Sequence, residues 1–532
     1  MPEKNLKDIR DLKDMKPMML LKKGKKGLFR VLFSRTGIIL LFFLLGVVLI
    51  MLPVQWLAEW IPQYVGLAVF IQALMVLFLI NSGMNATSKV TWLLVMMVFP
   101  LVGGFFYLYT RRDLGSRTIR AALKDRSRRI REALPEESEG YRALKLESPS
   151  TAALAKYIAG TGNYPVFRNT AVSYYPLGEY AFAAMLEDLK KAEHFIFLEF
   201  FIVDEGQMWG DILAVLAQKA AEGLDVRVMY DGTCEFSTLP HDYPDRLRAL
   251  GIQCKVFSPM TPFVSTYYNY RDHRKIMVID GKAAYNGGVN LADEYINAIV
   301  KHGHWKDTAV RLEGPAVDGF TVMFMEMWGL KDPVLDVDRF VGYALPVKDA
   351  PGYVIPYGDN PMDDDKVGEN VYMDFLYRAK SYVHIMSPYL ILDDEMLSAL
   401  RMAGQKGIDV KLILPGIPDK KIPYNLARTY FSTLVRSRVK VYIYDPGFVH
   451  AKVFVSDDIR AAVGTINLDY RSLYHHFECA TYLYKVPCIS EIEADFQETL
   501  KRCHQVTEEE IRSLNKGAKA AGWLFRMIAP LL

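Results

Sequence analysis

Two short segments of the chain combine a histidine, a lysine and an aspartate at one spacing, H-x-K-x-x-x-x-D. An imidazole can act as a nucleophile, or as an acid or base near neutral pH, and an ammonium group stabilises anionic oxygens. These groups suit a phosphodiester, because one histidine can attack phosphorus while another protonates the leaving oxygen. We predict a catalytic set of His273, Lys275, Asp280, His450, Lys452 and Asp457.

The likeness of the two segments continues beyond the aspartates. A glycine follows each aspartate after seven residues, and an asparagine follows that glycine after three. One motif of this kind is weak support for a site, whereas two copies with the same continuation indicate an internal duplication. We expect the two lysines to hold the non-bridging phosphate oxygens together with the two asparagines, Asn290 and Asn467.

The strand periodicity predicts how each motif presents its side chains. Residues i and i+2 of a strand share a face, so the histidine and the lysine should project together. The aspartate at i+7 should lie on the opposite face, where it braces the strand. Two halves packed about a pseudo-two-fold axis would bring both histidine–lysine pairs to one cavity.

Each catalytic histidine needs a hydrogen-bond partner that fixes its tautomer. We predict Glu478 as the partner of His450 and Asp307 as the partner of His273, with Glu294 as an alternative for His273. The other histidines near these segments are interpreted as structural or surface residues: His304, His475 and His476.

The same residues argue against a metal centre or another cofactor. Each motif pairs its histidine with a lysine, whose charge repels a cation, and no carboxylate-rich cluster accompanies either motif. The five cysteines are scattered without a C-x-x-C pair, so neither a zinc site nor a disulfide framework is indicated. We predict that the reaction requires no metal and no cofactor.

The elements around the motifs indicate an α/β fold that repeats itself. From about residue 135, short β-rich apolar runs alternate with amphipathic stretches. The strand HFIFLEFFIV begins one series of elements, and SYVHIMSPYLIL begins a second series in the same order. We expect two α/β halves with mixed sheets, related by a pseudo-two-fold axis and packed at a shared active site.

The N-terminal fifth of the chain is strongly apolar. Residues 36–58, 60–88 and 90–110 contain no charged residue, and about 20 apolar residues suffice to cross a bilayer. A signal peptide is an alternative for the first run, but no small-residue cleavage site follows it. We expect a multi-pass protein of the cell membrane. Basic residues flank both ends of the region, so three full crossings conflict with the positive-inside rule unless one run is re-entrant or interfacial.

The segments RDHRKIMVIDG, GGVNLADEY, GFVHAK and GTINLDYRS carry a resemblance to a known family. The sequence resembles the phospholipase D superfamily and, over nearly its whole length, the bacterial cardiolipin synthases within it. The resemblance implies that one phosphatidylglycerol donates its phosphatidyl group to a histidine and releases glycerol. A second phosphatidylglycerol then resolves the phosphohistidine to cardiolipin. By analogy, His273 is the nucleophile and His450 is the general acid.

The implied partners are membrane phospholipids and no nucleic acid, because a net charge of +3 gives no basic surface suited to DNA. Alternatives are a phospholipase D, a phosphatidylserine synthase or, from another class, a non-catalytic membrane scaffold. The predicted regions are a basic segment (1–35), a membrane anchor (36–110), a basic linker (111–160), two phospholipase D-like halves (161–345 and 346–510) and an amphipathic tail (511–532).

Overall fold

A computed structural model describes residues 61–111, 120–125, 138–162, 164–259, 270–331, 336–363, 365–513, 516–527 and 529–531. The first predicted hydrophobic run, 36–58, lies outside the described residues. The chain divides into an N-terminal unit that ends at Arg111 and a larger unit formed by the rest. Each unit is described by itself.

The described part of the N-terminal unit consists of helices α1 (Ile61–Ile80), α2 (Ala86–Val98) and α3 (Pro100–Arg111). Proline lacks a backbone N–H and suits only the first turn of a helix, so the run expected over 90–110 is divided at Phe99. Trp92 of α2 packs against Tyr107 of α3 with ring centroids 5.2 Å apart. Judged by length and hydropathy together, no helix within the described ranges qualifies as a membrane span.

The first half of the larger unit is built on a seven-stranded sheet. The strands of this half are β1 (Ala171–Tyr175), β2 (Phe195–Phe200), β3 (Asp225–Asp231), β4 (Gln253–Phe257), β5 (Arg271–Asp272), β6 (Lys275–Ile279), β7 (Ala283–Gly287), β8 (His304–Lys306) and β9 (Ala309–Glu313), of which β5 and β8 lie outside the sheet. Its helices are α4 (Glu139–Glu147), α5 (Pro149–Gly162), α6 (Gly178–Lys190), α7 (Gln207–Ala221), α8 (Cys234–Ser237), α9 (Tyr243–Ala249) and α10 (Val317–Trp328). The order in the sheet is β1-β9-β7-β6-β2-β3-β4.

The second half repeats this arrangement. Its strands are β10 (Tyr353–Asp359), β11 (Tyr382–Met386), β12 (Asp409–Pro415), β13 (Lys440–Tyr444), β14 (Gly447–Val449), β15 (Val453–Ser456), β16 (Arg460–Gly464), β17 (His476–Tyr484) and β18 (Cys503–Gln505). Its helices are α11 (Val367–Arg378), α12 (Asp394–Gln405), α13 (Lys421–Arg436), α14 (Tyr470–Tyr474), α15 (Ile489–Leu500), α16 (Glu508–Ser513) and α17 (Lys516–Met527). The order in the sheet is β10-β17-β16-β15-β11-β12-β13-β18.

Seven consecutive positions of the two sheets correspond strand by strand, with β18 added at one edge. In both sheets the central strand has a parallel neighbour on one side and an antiparallel neighbour on the other, as β2 has with β3 and β6 and β11 has with β12 and β15. The predicted α/β fold with mixed sheets and an internal duplication is therefore confirmed.

Helix α10 lies between the two sheets. Every residue of α10 except Asp318 is buried, as expected for a helix that is apolar on all sides. It contacts β2 and β6 of the first sheet and β10 of the second. Phe324 stacks on Phe197 of β2 with ring centroids 4.6 Å apart, and Gly319 lies against Pro356 of β10. One apolar layer thus fixes the two sheets relative to each other and holds the motif strands in place.

The tail predicted as amphipathic forms α17, which packs on α13. Gly522 lies against Thr429 of α13, where a side chain would clash. The guanidinium of Arg526 lies 4.6 Å from the ring centroid of Tyr430. This part of the tail therefore packs against the second half.

Candidate active site

Each motif places its histidine just before a central strand and its lysine at or near the start of that strand. Nζ of Lys275 donates to the carbonyl oxygen of His273 at 2.7 Å. Lys452 makes the same bond to the carbonyl oxygen of His450, and its Nζ also lies 2.8 Å from Nδ1 of that imidazole. All four side chains are buried.

The motif aspartates occupy a different part of the fold. Asp280 and Asp457 adopt left-handed backbone conformations, with φ of 53° and 54°, in the turns after β6 and β15. The Asp280 carboxylate accepts the backbone N–H groups of residues 193, 194 and 195, before β2. The Asp457 carboxylate accepts those of residues 380, 381 and 382, before β11. Both aspartates brace adjacent strands, as their strand position predicted, and neither contacts a catalytic histidine.

Two short parallel ribbons join the halves at the site. In one, Arg271 and Asp272 of β5 pair with His476 and Phe477 of β17. In the other, β14 pairs with β8, with Val449 opposite Lys306. Each ribbon ends with a motif histidine opposite an acidic residue of the other half. The backbone N–H of His273 donates to Phe477 at 2.9 Å, and that of His450 donates to Lys306 at 2.7 Å.

These ribbons determine which carboxylate each histidine meets. Nδ1 of His273 lies 2.9 Å from Oε2 of Glu478, and Nδ1 of His450 lies 2.6 Å from Oδ2 of Asp307. The predicted pairing, Glu478 with His450 and Asp307 with His273, is therefore wrong. The partners are exchanged because the halves pair through β5 with β17 and β8 with β14. The alternative Glu294 forms an ion pair with Lys301 at 2.8 Å instead.

Aromatic rings enclose the second-half histidine. The ring of His450 lies 5.4 Å from that of Trp305, 5.3 Å from that of Tyr295 and 5.9 Å from that of Phe448. Its partner Asp307 accepts the backbone N–H of Thr308 through the other carboxylate oxygen. This carboxylate is fully buried, and both of its oxygens have a donor within hydrogen-bond distance.

The first-half histidine has different neighbours. The ring of His273 lies 4.8 Å from that of Phe201 and 5.3 Å from that of His476. Its partner Glu478 also accepts the hydroxyl of Thr465. His476, interpreted from the sequence as a structural or surface residue, is buried beside the motif histidine. His304 is structural as expected, since its Nδ1 lies 3.0 Å from the hydroxyl of Tyr444.

The two asparagines are not equivalent. Asn290 donates to the hydroxyl of Tyr295 at 2.7 Å and accepts the backbone N–H of Ile202 at 3.0 Å. The second N–H of this amide has no such partner among the described residues, so a role for Asn290 in phosphate binding stays a prediction. Asn467 is buried, and its Oδ1 has no hydrogen-bond partner among the described residues. A role for Asn467 in phosphate binding stays a prediction.

Burial shifts the pKa values of the motif side chains. Burial, reinforced by the charge of Lys275, holds the pKa of His273 well below its usual range. Burial and Lys452 lower the pKa of His450 to about 4. Burial also lowers the pKa of Lys275 to about 8 and that of Lys452 to about 7. The imidazoles are therefore neutral at pH 7, whereas Lys275 is mostly cationic and Lys452 is close to half protonated.

The two partner carboxylates shift in opposite directions. Burial raises the pKa of Glu478 well above its usual range, although Lys275 and the Thr465 hydroxyl oppose it. Burial also disfavours the anion at Asp307, but His450 and Lys452 outweigh that effect, and the pKa of Asp307 is lowered. Asp307 is therefore the carboxylate with the more stable negative charge.

Two groups of residues in the described part of the chain bring imidazole or carboxylate atoms within 4.8 Å of one another. One consists of His273, His476 and Glu478, and the other of Glu369, Asp393 and Glu395. A lysine accompanies each group: Lys275 lies beside the first, and Nζ of Lys366 lies 3.5 Å from Glu369 in the second. Because an ammonium group opposes a metal ion, we assign neither group to a metal. The expectation of a metal-free reaction stays a prediction.

Comparison with known proteins gives a consistent family. Residues 185–328 and 372–500 match the family described as "Cardiolipin synthase, PLD-like domain", and residues 69–112 match "Phospholipase_D-nuclease N-terminal". Cardiolipin synthase of Alkalihalophilus pseudofirmus is 31% identical over 90% of this chain and 95% of its own. An uncharacterised protein of Streptococcus mutans is 53% identical over 86% of this chain and 99% of its own.

A solved structure supports the fold. Phosphatidylserine synthase of Haemophilus influenzae superposes with a TM-score of 0.53 over 72% of this chain and 100% of its own, at 13% sequence identity. The family matches include both motifs, and the 31% identical relative is covered almost completely. The chain therefore belongs to the cardiolipin synthases of the phospholipase D superfamily, and it is a phosphatidyltransferase.

Proposed function

We propose that the chain transfers the phosphatidyl group of one phosphatidylglycerol to the terminal hydroxyl of a second, forming cardiolipin and glycerol. The observation that carries the proposal is the pair of buried histidines, each bonded through Nδ1 to a carboxylate of the opposite half. This arrangement leaves Nε2 of both rings for chemistry on a phosphodiester. It provides one nucleophile and one acid in a single site.

In the first step, Nε2 of His273 attacks phosphorus and a phosphorus–nitrogen bond forms. The bond from phosphorus to the glycerol oxygen breaks, and Nε2–H of His450 protonates that oxygen. In the second step, His450 takes the proton of the incoming hydroxyl, whose oxygen attacks phosphorus as the bond to His273 breaks. Lys275 and Lys452 stabilise the anionic oxygens throughout.

The unequal carboxylates support this division of roles. The general acid must carry a proton when the donor lipid is bound, and a stable anion beside its Nδ1–H favours the protonated ring. Asp307 provides that anion for His450. The bound phosphodiester adds a further negative charge, which raises the pKa of His450 from its value in the empty site. His273, next to the less readily ionised Glu478, suits the neutral nucleophile.

We propose that the apolar N-terminal region anchors the enzyme in the membrane as a multi-pass segment. Helix α1 contains no charged residue and exposes large apolar side chains, among them Phe70, Leu74 and Phe78. Alkaline extraction of membranes should leave the protein in the pellet. Release into the supernatant would indicate peripheral contact only. An anchored site would meet lipid hydroxyls at high local concentration and restrict water.

The proposed reaction is tested by product analysis. Purified protein is incubated in mixed micelles with phosphatidylglycerol as sole phospholipid, without nucleotide and with EDTA, beside a His273→Ala control. Cardiolipin and glycerol should form in equal amounts, and neither should form in the control. Phosphatidic acid as the main product would instead identify a hydrolase, and dependence on added metal would overturn the metal-free mechanism.

A further inference from the structure

The first-half site contains a third imidazole that the reaction described above does not use. His476 is buried, and its ring lies 5.3 Å from the ring of His273 at an interplanar angle of 36°. Its Nδ1 lies 3.5 Å from Oε1 of Glu478. Glu478 therefore lies between two imidazoles, with one carboxylate oxygen near each.

The site around His450 has an indole at the corresponding position, contributed by the first half. Trp305 precedes Asp307 by two residues, as His476 precedes Glu478. The ring of Trp305 lies 5.4 Å from that of His450 at an interplanar angle of 41°. In both copies of the arrangement, a flat ring therefore packs beside the motif histidine. Of these two rings, only the one beside His273 is an imidazole that can bind an additional proton, and only the carboxylate beside His273 resists ionisation.

We infer that His476 is a positioning residue that keeps Glu478 anionic while His273 carries the phosphatidyl group, an inference that rests on the proposed function. When Nε2 of His273 is bonded to phosphorus, its ring is cationic and Nδ1–H shares that charge with Glu478. The charge is stabilised only if Glu478 is then an anion. A protonated His476 at 3.5 Å favours that anion.

Two other cations lie near His476. Lys275 also favours the Glu478 anion through its charge, while its Nζ donates to the backbone carbonyl of His273. Arg271 pairs with the backbone of His476, but its guanidinium is directed at Asp231 and the carbonyl of Ser258.

The test removes the ring nitrogens and keeps a flat ring. His476→Phe should lower kcat for cardiolipin formation by about 10- to 100-fold, with KM changed little, as for other residues that orient a reacting group. Without the cation, Glu478 ionises at higher pH, so the acidic limb of the kcat profile should rise by about one pH unit. His476→Trp, which gives His273 the same neighbouring indole as His450, should lower kcat and shift the acidic limb as His476→Phe does. His475→Phe removes the adjacent imidazole and should keep the wild-type profile.

A wild-type pH profile in His476→Phe, or an equal loss at every pH, would overturn the inference, because it would indicate packing alone. His476→Gln serves as the test variant if the phenylalanine variant does not fold, which thermal unfolding would reveal. Absence of cardiolipin with the wild-type chain would overturn the proposed function itself. That outcome can be distinguished from a failure of the inference about His476, because it is measured with the wild-type chain and involves no substitution.

Discussion

The two motif histidines have matching frames and different surroundings. Each follows a strand of a ribbon that joins the halves, and each bonds through Nδ1 to a carboxylate of the other half. His450 has an ionised aspartate and an indole, whereas His273 has a glutamate that resists ionisation and a second imidazole. Duplication thus provides two copies of one frame, and substitutions within the copies allow one ring to act as acid and the other as nucleophile.

The largest effects should come from neutralising the two carboxylates. Asp307→Asn and Glu478→Gln should each lower kcat by about 10³-fold, because an amide fixes the wrong tautomer and cannot stabilise an imidazolium. Glu294→Gln, at the rejected alternative partner, should be close to wild type, since its ion pair with Lys301 is only partly buried. Steady-state cardiolipin formation with purified variants measures all three.

A donor lipid with an acidic leaving group separates the two roles. A nitrophenol needs no proton to depart, so a phosphatidyl nitrophenol should restore phosphohistidine formation in Asp307→Asn, where the acid is impaired. The same lipid should not restore phosphohistidine formation in Glu478→Gln, where the nucleophile is impaired. Nitrophenol release in a single turnover reports the step. Rescue of Glu478→Gln instead would exchange the roles of His273 and His450.

The sequence was sufficient to predict the duplicated α/β fold and the motif residues, because both depend on local patterns. Strand periodicity placed Asp280 and Asp457 on the face away from their histidines, and in the structure they bind the backbone at the starts of β2 and β11. The repeated series of elements predicted two related halves, and the strands of the two sheets follow one order. These features require no knowledge of how the halves meet.

The crossed partners could not be predicted in the same way. Glu478 meets His273 only because β5, which has two residues, pairs with β17 of the other half. So short a segment carries no periodicity, and its partner is chosen by the packing of whole sheets. The role of His476 had a signal that was missed: it precedes Glu478 by the same two residues by which Trp305 precedes Asp307. Comparing the copies position by position would have identified it.

A smaller effect should follow from the lysines, whose unequal pKa values offer a second way to compare the halves. A lysine is cationic below its pKa and neutral above it, and the pKa values are about 7 for Lys452 and about 8 for Lys275. Attraction of the anionic phosphodiester is therefore present at low pH and lost as pH rises through this window. We expect kcat/KM for phosphatidylglycerol to fall at least about tenfold between pH 7 and pH 9.

Arginine variants show which of the two lysines determines the pH at which kcat/KM begins to decline. A guanidinium keeps its charge throughout the range, so Lys452→Arg should delay the decline until Lys275 titrates, about one pH unit later. Lys275→Arg should leave the onset near the pKa of Lys452 and make the decline shallower. Arginine also changes the geometry of the site. The measurement is therefore the pH at which kcat/KM begins to decline, and the absolute rate is not compared. An onset that neither variant moves would show that the lysine charges do not control binding of the donor lipid.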